Sequence, residues 1–403
     1  MDLLRKKTQL LQLYYPDYSA DVLRDILASC NGDVDQARVL IEGPKHQKST
    51  GQIQRTLPVK AKRKLEVTAT PSPSSSASVV APENAKKRQI TNRSPQITLN
   101  TPEDVEVHLG GYASLYVNFF PKELANDLLN ELTESKHKFK YRQFYLFGNL
   151  CQSDVSVAPF AARDNDCPTV VYNGLPVQGG DSPGPHEYTR HFESAAKYLE
   201  EKMNKSIIPS NPRLPYQRND KWSAEFCVAN MYEKLSNHLD WHSDRLSYIG
   251  PHNYIASVSL GSTRVFKLRS THKPSSPVYS VPLPHNSLFL MKPGCQEEFK
   301  HTLGPMGKSL SLHPQVGTLR FSLTFRHYPA DFIRNLPRCR CDLPMMLRRA
   351  FKSPETKGFY FWSCENVYQN KDCGTFHWAD FNNHKDHFVA KSQDLASRWI
   401  APE

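Results

Sequence analysis

The sequence predicts a multi-domain protein built around a mainly β core, folded as an antiparallel barrel or jelly roll. Short runs rich in β-branched and aromatic residues follow one another in the second half of the chain, separated by Gly, Pro and Ser. The two-residue period of a strand places Asn230 and Tyr232 on one face of the first run. The predicted strands occupy residues 223–232, 255–261, 264–269, 287–291 and 318–324.

Two histidines and one aspartate have the order of a metal site. His242 and Asp244 form an H-x-D pair, and His301 follows downstream. Two imidazoles and one carboxylate make a 2-His-1-carboxylate facial triad, which holds Fe(II) on one face and leaves the opposite positions open. His301 is preferred as the third ligand because it follows the 287–291 strand after a Pro-Gly turn. The competing histidines are His238, His285, His313 and His327.

Two arginines in the last predicted strand indicate an acidic ligand. Arg320 and Arg326 are an even number of residues apart, so both can face one cavity. Guanidinium groups pair with carboxylates through two parallel hydrogen bonds, and burying them without an anion is costly. The pair therefore predicts a bound acid with a carboxylate at each end.

These residues, taken in order, carry a family resemblance. They resemble the AlkB family of Fe(II)/2-oxoglutarate dioxygenases over about residues 105–330, and above all its branch that repairs alkylated DNA. The matching motifs are Asn230-x-Tyr232, Trp241-His-Ser-Asp244, Ser257-Val-Ser-Leu-Gly261, Arg264-x-Phe266-x-Leu-Arg269, His301 and Arg320-x-Ser-Leu-Thr-Phe-Arg326.

The resemblance implies a double-stranded β-helix with flanking helices over residues 101–333. It implies that the triad holds Fe(II), with 2-oxoglutarate and O₂ as co-substrates. Arg320 with Tyr232 would bind the far carboxylate of 2-oxoglutarate, and Arg326 with Asn230 would steady the end nearer the iron. The implied reaction is oxidative dealkylation of a nucleobase, with release of succinate and CO₂.

Substrate contacts are expected in an aromatic lid, because a base must leave its stack to reach the iron. Tyr172 is the best stacking candidate, and Phe147 is a second one. Arg245 follows the triad where repair members of the family carry acidic residues, and is a third candidate contact. Each lid aromatic has an alternative role as a core residue.

Residues 1–43 predict a compact bundle of three short helices. Apolar residues recur at helical spacing, as at Val22, Leu23, Ile26 and Leu27. The Tyr-Tyr-Pro turn and the Asn-Gly-Asp segment look like a CUE or UBA ubiquitin-binding module in residues 4–43. The alternative is a bundle that only packs.

Residues 44–100 predict a disordered basic linker. They carry nine of the net positive charges, in a segment rich in Lys, Ser and Pro. Lys60-Ala-Lys-Arg-Lys64 and Lys86-Lys-Arg88 are candidate nuclear-import signals or phosphate contacts, so we expect a nuclear protein. A charged tether is the alternative. No apolar run approaches the length of a membrane span.

Four late cysteines predict a structural zinc site in residues 334–385. Four thiolates can close a tetrahedral site, which stabilises a segment too short for a large core. The segment looks like a GRF-type zinc finger, a small ribbon with basic and aromatic residues suited to single-stranded DNA. About half of its aromatics are expected in the core, and residues 386–403 form a tail. The predicted ligands are Cys339, Cys341, Cys364 and Cys373.

Three functions follow from these features. The first is dealkylation of DNA or RNA by a protein that we expect to be monomeric. The second is a protein or chromatin demethylase or hydroxylase recruited through ubiquitin. The third is a catalytically silent scaffold, which an intact triad with both arginines disfavours.

Overall fold

A computed structural model describes most of the chain from residue 94 onward. The described residues are 94–402 without 147, 163–170, 173–174, 177–183, 273–275, 308–310 and 383–386, together with separate residues between 7 and 37. Residues 44–93 of the predicted basic linker, which contain both charged clusters, lie outside the described residues. The linker was predicted to extend to residue 100, but Gln96–Thr98 forms strand β1, which pairs in parallel with residues 278–280.

The described part of the N-terminal segment contains helix α1, Ala20–Ser29. Leu23, Ile26 and Leu27 of this helix are buried in a small cluster with Leu11 and Ala37. The helical spacing of the apolar residues therefore produces a local core, whereas most other residues of the predicted bundle lie outside the described ones. Among the described residues, no helix is long and apolar enough to cross a membrane.

The largest sheet has eight strands, and its principal path runs β2-β13-β10-β15-β8-β4-β3. Its pairings are antiparallel, except that β7 adds in parallel to β4. A separate ribbon pairs β5 with β6. The strands are β2 (Ala113–Tyr116), β3 (Lys140–Leu146), β4 (Asn149–Ala161), β5 (Val171–Tyr172), β6 (Leu175–Pro176), β7 (His186–Glu187), β8 (Phe226–Tyr232), β10 (Ile255–Gly261), β13 (Ser287–Met291) and β15 (Arg320–Arg326).

A second sheet of five strands has the order β1-β12-β11-β14-β9. Apolar residues of both sheets form one buried cluster, in which Phe266 and Leu268 of the small sheet meet Phe289 of the large one. This two-sheet core confirms the mainly β prediction and is consistent with a jelly roll. The new strands are β9 (Leu239–His242), β11 (Arg264–Ser270), β12 (Val278–Leu283) and β14 (Phe299–Leu303).

Helices cover the outer face of the large sheet. The buried positions of α3 follow the i, i+3, i+4, i+7 pattern at Ala125, Leu128, Leu129 and Leu132, which makes one apolar stripe. This stripe and a matching one on α4 pack against alternate residues of β15, such as Leu323. The covering helices are α3 (Lys122–Glu134) and α4 (Arg190–Lys202). Helices α2 (Pro102–His108) and α5 (Cys295–Glu298) instead contribute Val105 and Cys295 to the cluster between the sheets.

The alternation along the central strands leaves a polar face between the sheets. All seven residues of β10 are buried, with Val258 in the cluster beneath the helices. Ser257 and Ser259 lie on the opposite face and are register partners of Thr324 and Ser322 on β15. Serines and threonines on an interior face, rather than apolar residues, indicate a cavity for a polar ligand.

The C-terminal segment forms a third core around an antiparallel sheet of β16, β17 and β18. Trp399 is buried in this core, and its amide donates to the Gly358 carbonyl at 2.9 Å. The predicted tail is therefore part of the module, because an indole buries a large apolar area. Leu246 and Tyr248 of the catalytic segment lie in the same core. Its elements are α6 (Ala330–Arg334), β16 (Met346–Arg349), β17 (Tyr360–Ser363) and β18 (Phe376–Trp378).

Candidate active site

The two β-strands at the edge of the small sheet bring the predicted metal ligands together. His242 ends β9 and is the register partner of His301 on β14. Asp244 follows two residues later, and one ligand atom from each of the three side chains lies within 4.8 Å of the others. The three residues can therefore share one metal ion.

The two imidazoles have the form that binds a metal. His242 Nδ1 lies 2.7 Å from the Asp240 carbonyl, which can only accept, so Nδ1 donates and Nε2 keeps its lone pair. His301 stacks on Phe266 with ring centroids 5.2 Å apart. Burial lowers the pKa of both histidines, that of His301 to about 3. Both rings are therefore neutral at physiological pH, as metal coordination requires.

Arg326 holds the third ligand in its charged form. Its Nε and Nη2 donate to Oδ2 of Asp244 at 3.0 and 2.7 Å. Burial alone would raise the pKa of Asp244, but Arg326 and the two histidines lower it to about 2. Gln296 accepts from the Asp244 amide at 2.7 Å and fixes the backbone. Arg326 therefore acts on the metal ligand itself.

Arg320 is a buried cation with unused donors. It is 1% exposed, and its Nη2 donates to Ser259 Oγ at 2.8 Å. Its Nε and Nη1 have no hydrogen-bond partner among the described residues. Burial lowers the pKa of Arg320 to about 10, so the guanidinium stays charged. A buried guanidinium with two nitrogens that lack an acceptor fits a carboxylate.

Tyr232 and Arg264 complete this cradle. The guanidinium carbons of Arg264 and Arg320 lie 5.1 and 5.2 Å from the centre of the Tyr232 ring. Neither arginine forms a salt bridge with an acidic side chain of the described chain. Asn230 lies on the same face of β8 as Tyr232, opposite Ser322. The cradle is positively charged and polar, and its residues fit the dicarboxylate 2-oxoglutarate.

The predicted substrate contacts have three different outcomes. Phe147 lies outside the described residues. Tyr172 belongs to the β5–β6 ribbon, where it is the register partner of Leu175. Arg245 is paired with Glu365, and its guanidinium lies 4.9 Å from the Tyr368 ring, so its contact with a substrate stays a prediction.

The four predicted cysteines converge in the C-terminal module. Their four sulfur atoms lie within 4.8 Å of one another. Cys364 Sγ is 3.7 Å from Cys339 Sγ and 3.9 Å from Cys341 Sγ. Tetrahedral zinc bound through sulfur spaces its ligands roughly 3.8 Å apart. A hydrogen bond with Thr375 lowers the pKa of Cys373 to about 6, which favours a thiolate. The four thiols therefore fit a tetrahedral metal ion.

Reasoning from the sequence missed four residues of the site. Ser259 could have been found, because it shares a strand face with Ser257 and lies opposite Ser322. Arg264 and Phe266 stood in a quoted motif without a role. Gln296 had no signal, since it lies in the four-residue helix α5.

Comparison with known proteins agrees with this geometry. Residues 112–326 match the 2OG-Fe(II) oxygenase superfamily. The alpha-ketoglutarate-dependent dioxygenase alkB homolog 3 of Homo sapiens is 31% identical over 81 residues, which are 18% of this chain and 28% of that protein. The Bos taurus homolog is 29% identical over 92 residues, 21% of this chain and 32% of that protein.

The chain thus spans about a third of the length of the curated relatives it matches. The solved structure of OsALKBH1 is 15% identical, covers 54% of this chain and 98% of its own, and has a TM-score of 0.38. The family match extends over more than half of this chain and contains the three metal ligands, Tyr232 and both predicted arginines. The protein belongs to the 2OG-Fe(II) oxygenase superfamily and is a dioxygenase.

Proposed function

We propose that this dioxygenase removes alkyl groups from nucleobases in single-stranded nucleic acid, DNA above all. Support comes from the similarity to the alkB homolog 3 proteins, which covers 18–21% of this chain. The observation that carries the choice of a single strand is a group of rings on the C-terminal sheet, described next. The basic clusters of the linker support our proposal that the protein is nuclear. We also propose that it is a monomer.

Four aromatic side chains share the outer face of the C-terminal sheet, which we call the aromatic face. Phe361 stacks on Phe376 at 5.4 Å between centroids, and Phe376 meets Trp378 edge-on at 5.0 Å. Phe359 packs on Trp378 at 5.6 Å, and Phe376 is 48% exposed. Exposed rings bind unpaired bases by stacking with little dependence on sequence.

The opposite face of the same sheet is the module core. Tyr360 and Trp362 alternate with the outer rings and are fully buried. This alternation supports the prediction that about half of the aromatics pack inward. Arg398 adds a cation 4.9 Å from the Phe359 ring, and Lys357 and Lys371 are exposed on the module. Such cations suit the phosphates of a strand.

The side chains around the metal centre have separate tasks in the proposed reaction. Bound Fe(II), with 2-oxoglutarate and O₂, would supply the oxidising power that converts an N-alkyl carbon to an unstable hemiaminal. His242, Asp244 and His301 would hold the metal, and Arg326 keeps Asp244 ionised. Arg320 would bind and orient the far carboxylate.

The test offers several methylated polymers to the full-length protein. Methylated single-stranded DNA, the same strand in a duplex, methylated RNA and a methylated histone peptide are compared by release of formaldehyde and succinate. We expect the highest coupled turnover on single-stranded DNA, and none for Asp244→Ala, which loses a metal ligand. Preferred turnover of the peptide would overturn the nucleobase assignment.

The aromatic face is tested with point variants. Phe376→Ala and Trp378→Ala should weaken binding to unmethylated single strands and reduce activity on long strands more than on short ones, because only long strands engage both modules. Leu395→Ala is the control, since it removes an exposed apolar side chain of the same region. Equal losses in all three variants would refute a stacking role.

A second candidate is a protein demethylase or hydroxylase recruited by ubiquitin. The buried cluster of α1 with Leu11 and Ala37 favours it, because such a small helical core suits a ubiquitin-binding module. Titration of the protein with ubiquitin and with methylated histone peptide tests both requirements. A silent scaffold would show no Fe(II)-dependent conversion of 2-oxoglutarate at all.

A further inference from the structure

The segment that follows the metal ligand Asp244 is built into the C-terminal module. Arg245 forms a close ion pair with Glu365, which is 3% exposed. Leu246 and Tyr248 are buried in the module core. Ser247 Oγ accepts a hydrogen bond from the Leu347 amide at 3.0 Å. Four consecutive residues thus join the iron site to a part of the chain about 100 residues away.

Glu365 is itself placed by the cysteine cluster. It directly follows Cys364, whose sulfur lies 3.7 Å from that of Cys339, and it begins a 3₁₀ turn that ends at Gln369. A residue bonded to such a cluster has little freedom to move. The cluster therefore determines where the Glu365 carboxylate meets the segment after Asp244.

The same turn reaches the hairpin between β3 and β4. The Gly148 amide donates to the Tyr368 carbonyl at 2.9 Å. Gly148 has a φ of +79°, a backbone conformation that favours glycine, and it approaches the Asn370 side chain closely. Arg348 donates to the Tyr368 hydroxyl at 3.1 Å. The turn therefore braces both the metal ligand segment and the hairpin.

We propose that Glu365 is a positioning residue for the iron site: through Arg245 it fixes the backbone that carries Asp244. Breaking a buried ion pair leaves one charge without a partner, so the segment must move to reach water. A displaced carboxylate no longer meets the metal and both imidazoles in the required geometry. Glu365 of the C-terminal module then positions a metal ligand even when no strand is bound.

This role is independent of the proposed nucleobase substrate, and the experiment keeps the two apart. Full-length Glu365→Gln, Arg245→Gln and the double variant are compared in conversion of 2-oxoglutarate to succinate without any polymer. The visible absorption of the Fe(II)–2-oxoglutarate complex, zinc content and Tm are measured on the same samples. Glu355→Gln is the charge control, because Glu355 is exposed on the same module.

We expect Glu365→Gln to lower kcat roughly 10- to 100-fold, the usual effect of small misplacement, and to alter the absorption band. The KM for 2-oxoglutarate should change less than about threefold, since Arg320 is untouched. The double variant should lower kcat no more than the more impaired single variant does, because both substitutions act through one ion pair.

A stability control separates positioning from unfolding. Met345→Ala opens a cavity in the same module core, where Met345 is fully buried. It should lower Tm while leaving kcat and the absorption band unchanged well below the transition. An unchanged kcat in Glu365→Gln, additive losses in the double variant, or an equal kcat loss in Met345→Ala would each overturn the proposal.

Discussion

At the scale of single residues, the site is governed by cations that the protein does not neutralise. Arg320 and Arg264 are both almost fully buried, and both lie against the Tyr232 ring. Arg264 has its two Nη groups on the carbonyls of Asn237 and Lys234, each at 2.6 Å. Arg320 keeps donors for a ligand. One arginine thus holds the loop, and the other is available for the acid.

The first prediction concerns Arg320→Lys. An ammonium group cannot form the planar double contact with a carboxylate, so 2-oxoglutarate binding should weaken by about 1.5–3 kcal/mol. The KM for 2-oxoglutarate and its Kd from calorimetry measure this change. Arg338→Lys, on the exposed surface, is the matched control. An unchanged Kd would show that another group binds the far carboxylate.

Arg264→Met carries the second prediction. Methionine keeps much of the volume but loses both bonds to the loop between β8 and β9, which joins Tyr232 to His242. Two lost charged hydrogen bonds should lower the free energy of unfolding by about 2–4 kcal/mol. The affinity for 2-oxoglutarate should also fall, because Tyr232 is held less firmly. Denaturant unfolding and calorimetry on one sample measure both. Loss of stability with full affinity would limit Arg264 to folding.

At the scale of elements, the sequence predicted the buried central strands most accurately. The predicted limits of 255–261 and 287–291 are those of β10 and β13. Dense apolar runs ended by Gly, Pro or Asn define such strands without help from the rest of the fold. Strand β15 begins at Arg320, two residues after the start of the predicted run, and contains both predicted arginines, with Arg326 paired to Ile255.

Other elements depend on contacts that no local pattern records. Strand β1 has the sequence Gln-Ile-Thr and exists because its backbone pairs with β12. Trp399 looked like part of a tail, yet it packs into a core assembled from distant segments. The partner of Arg245 could not be predicted either, since Glu365 lies 120 residues away. The metal ligands were easier to predict, because only a few residue types bind a metal ion.

The third prediction concerns the link between α6 and the loop before β8. Asp220 accepts from Arg218 at 2.9 Å and from His327 Nε2 at 2.9 Å, and Arg218 also bonds Asp331. Burial raises the pKa of Asp220, but His327 and Arg218 outweigh it and lower the pKa well below its usual range. Asp220 therefore stabilises the fold above its ordinary pKa, and this contribution is lost as the pH falls through the lower folded value.

Asp220→Asn should lower the free energy of unfolding by about 1 kcal/mol at neutral pH. The difference from the wild type should shrink below about pH 4, where the unfolded carboxyl is protonated. Urea unfolding at several pH values measures this difference in the free energy of unfolding. Asp394→Asn is the control, because Asp394 is exposed. A difference that does not change with pH would attribute the loss to packing.

At the scale of the whole molecule, the oxygenase core and the C-terminal module share one interior. Phe332 and Leu336 join Leu246 and Tyr248 in the core of the module. The predicted boundary at residue 333 passes through this core. The two modules that we propose to act in series on a strand are therefore also bound together structurally.

The fourth prediction follows from this shared interior. A 1–333 truncation exposes Leu246, Tyr248 and Phe332, and each such side chain contributes about 1.5–3 kcal/mol when buried. We expect a lower Tm, aggregation and loss of 2-oxoglutarate turnover with every substrate length. Residues 94–403 alone should keep the Tm of the full chain. Scanning calorimetry and light scattering compare the two, and a stable, active 1–333 protein would contradict a shared core.

Strand β10 is enclosed on both faces and paired with β13 and β15 on both edges. No local fluctuation can bring its amides to water without opening the sheet, so they should exchange with deuterium only when the whole domain unfolds. Exchange measured at β10 by mass spectrometry then reports global opening. The slowest-exchanging amides of this enzyme should therefore lie directly behind its ligand cavity, so that binding occurs against its most rigid wall.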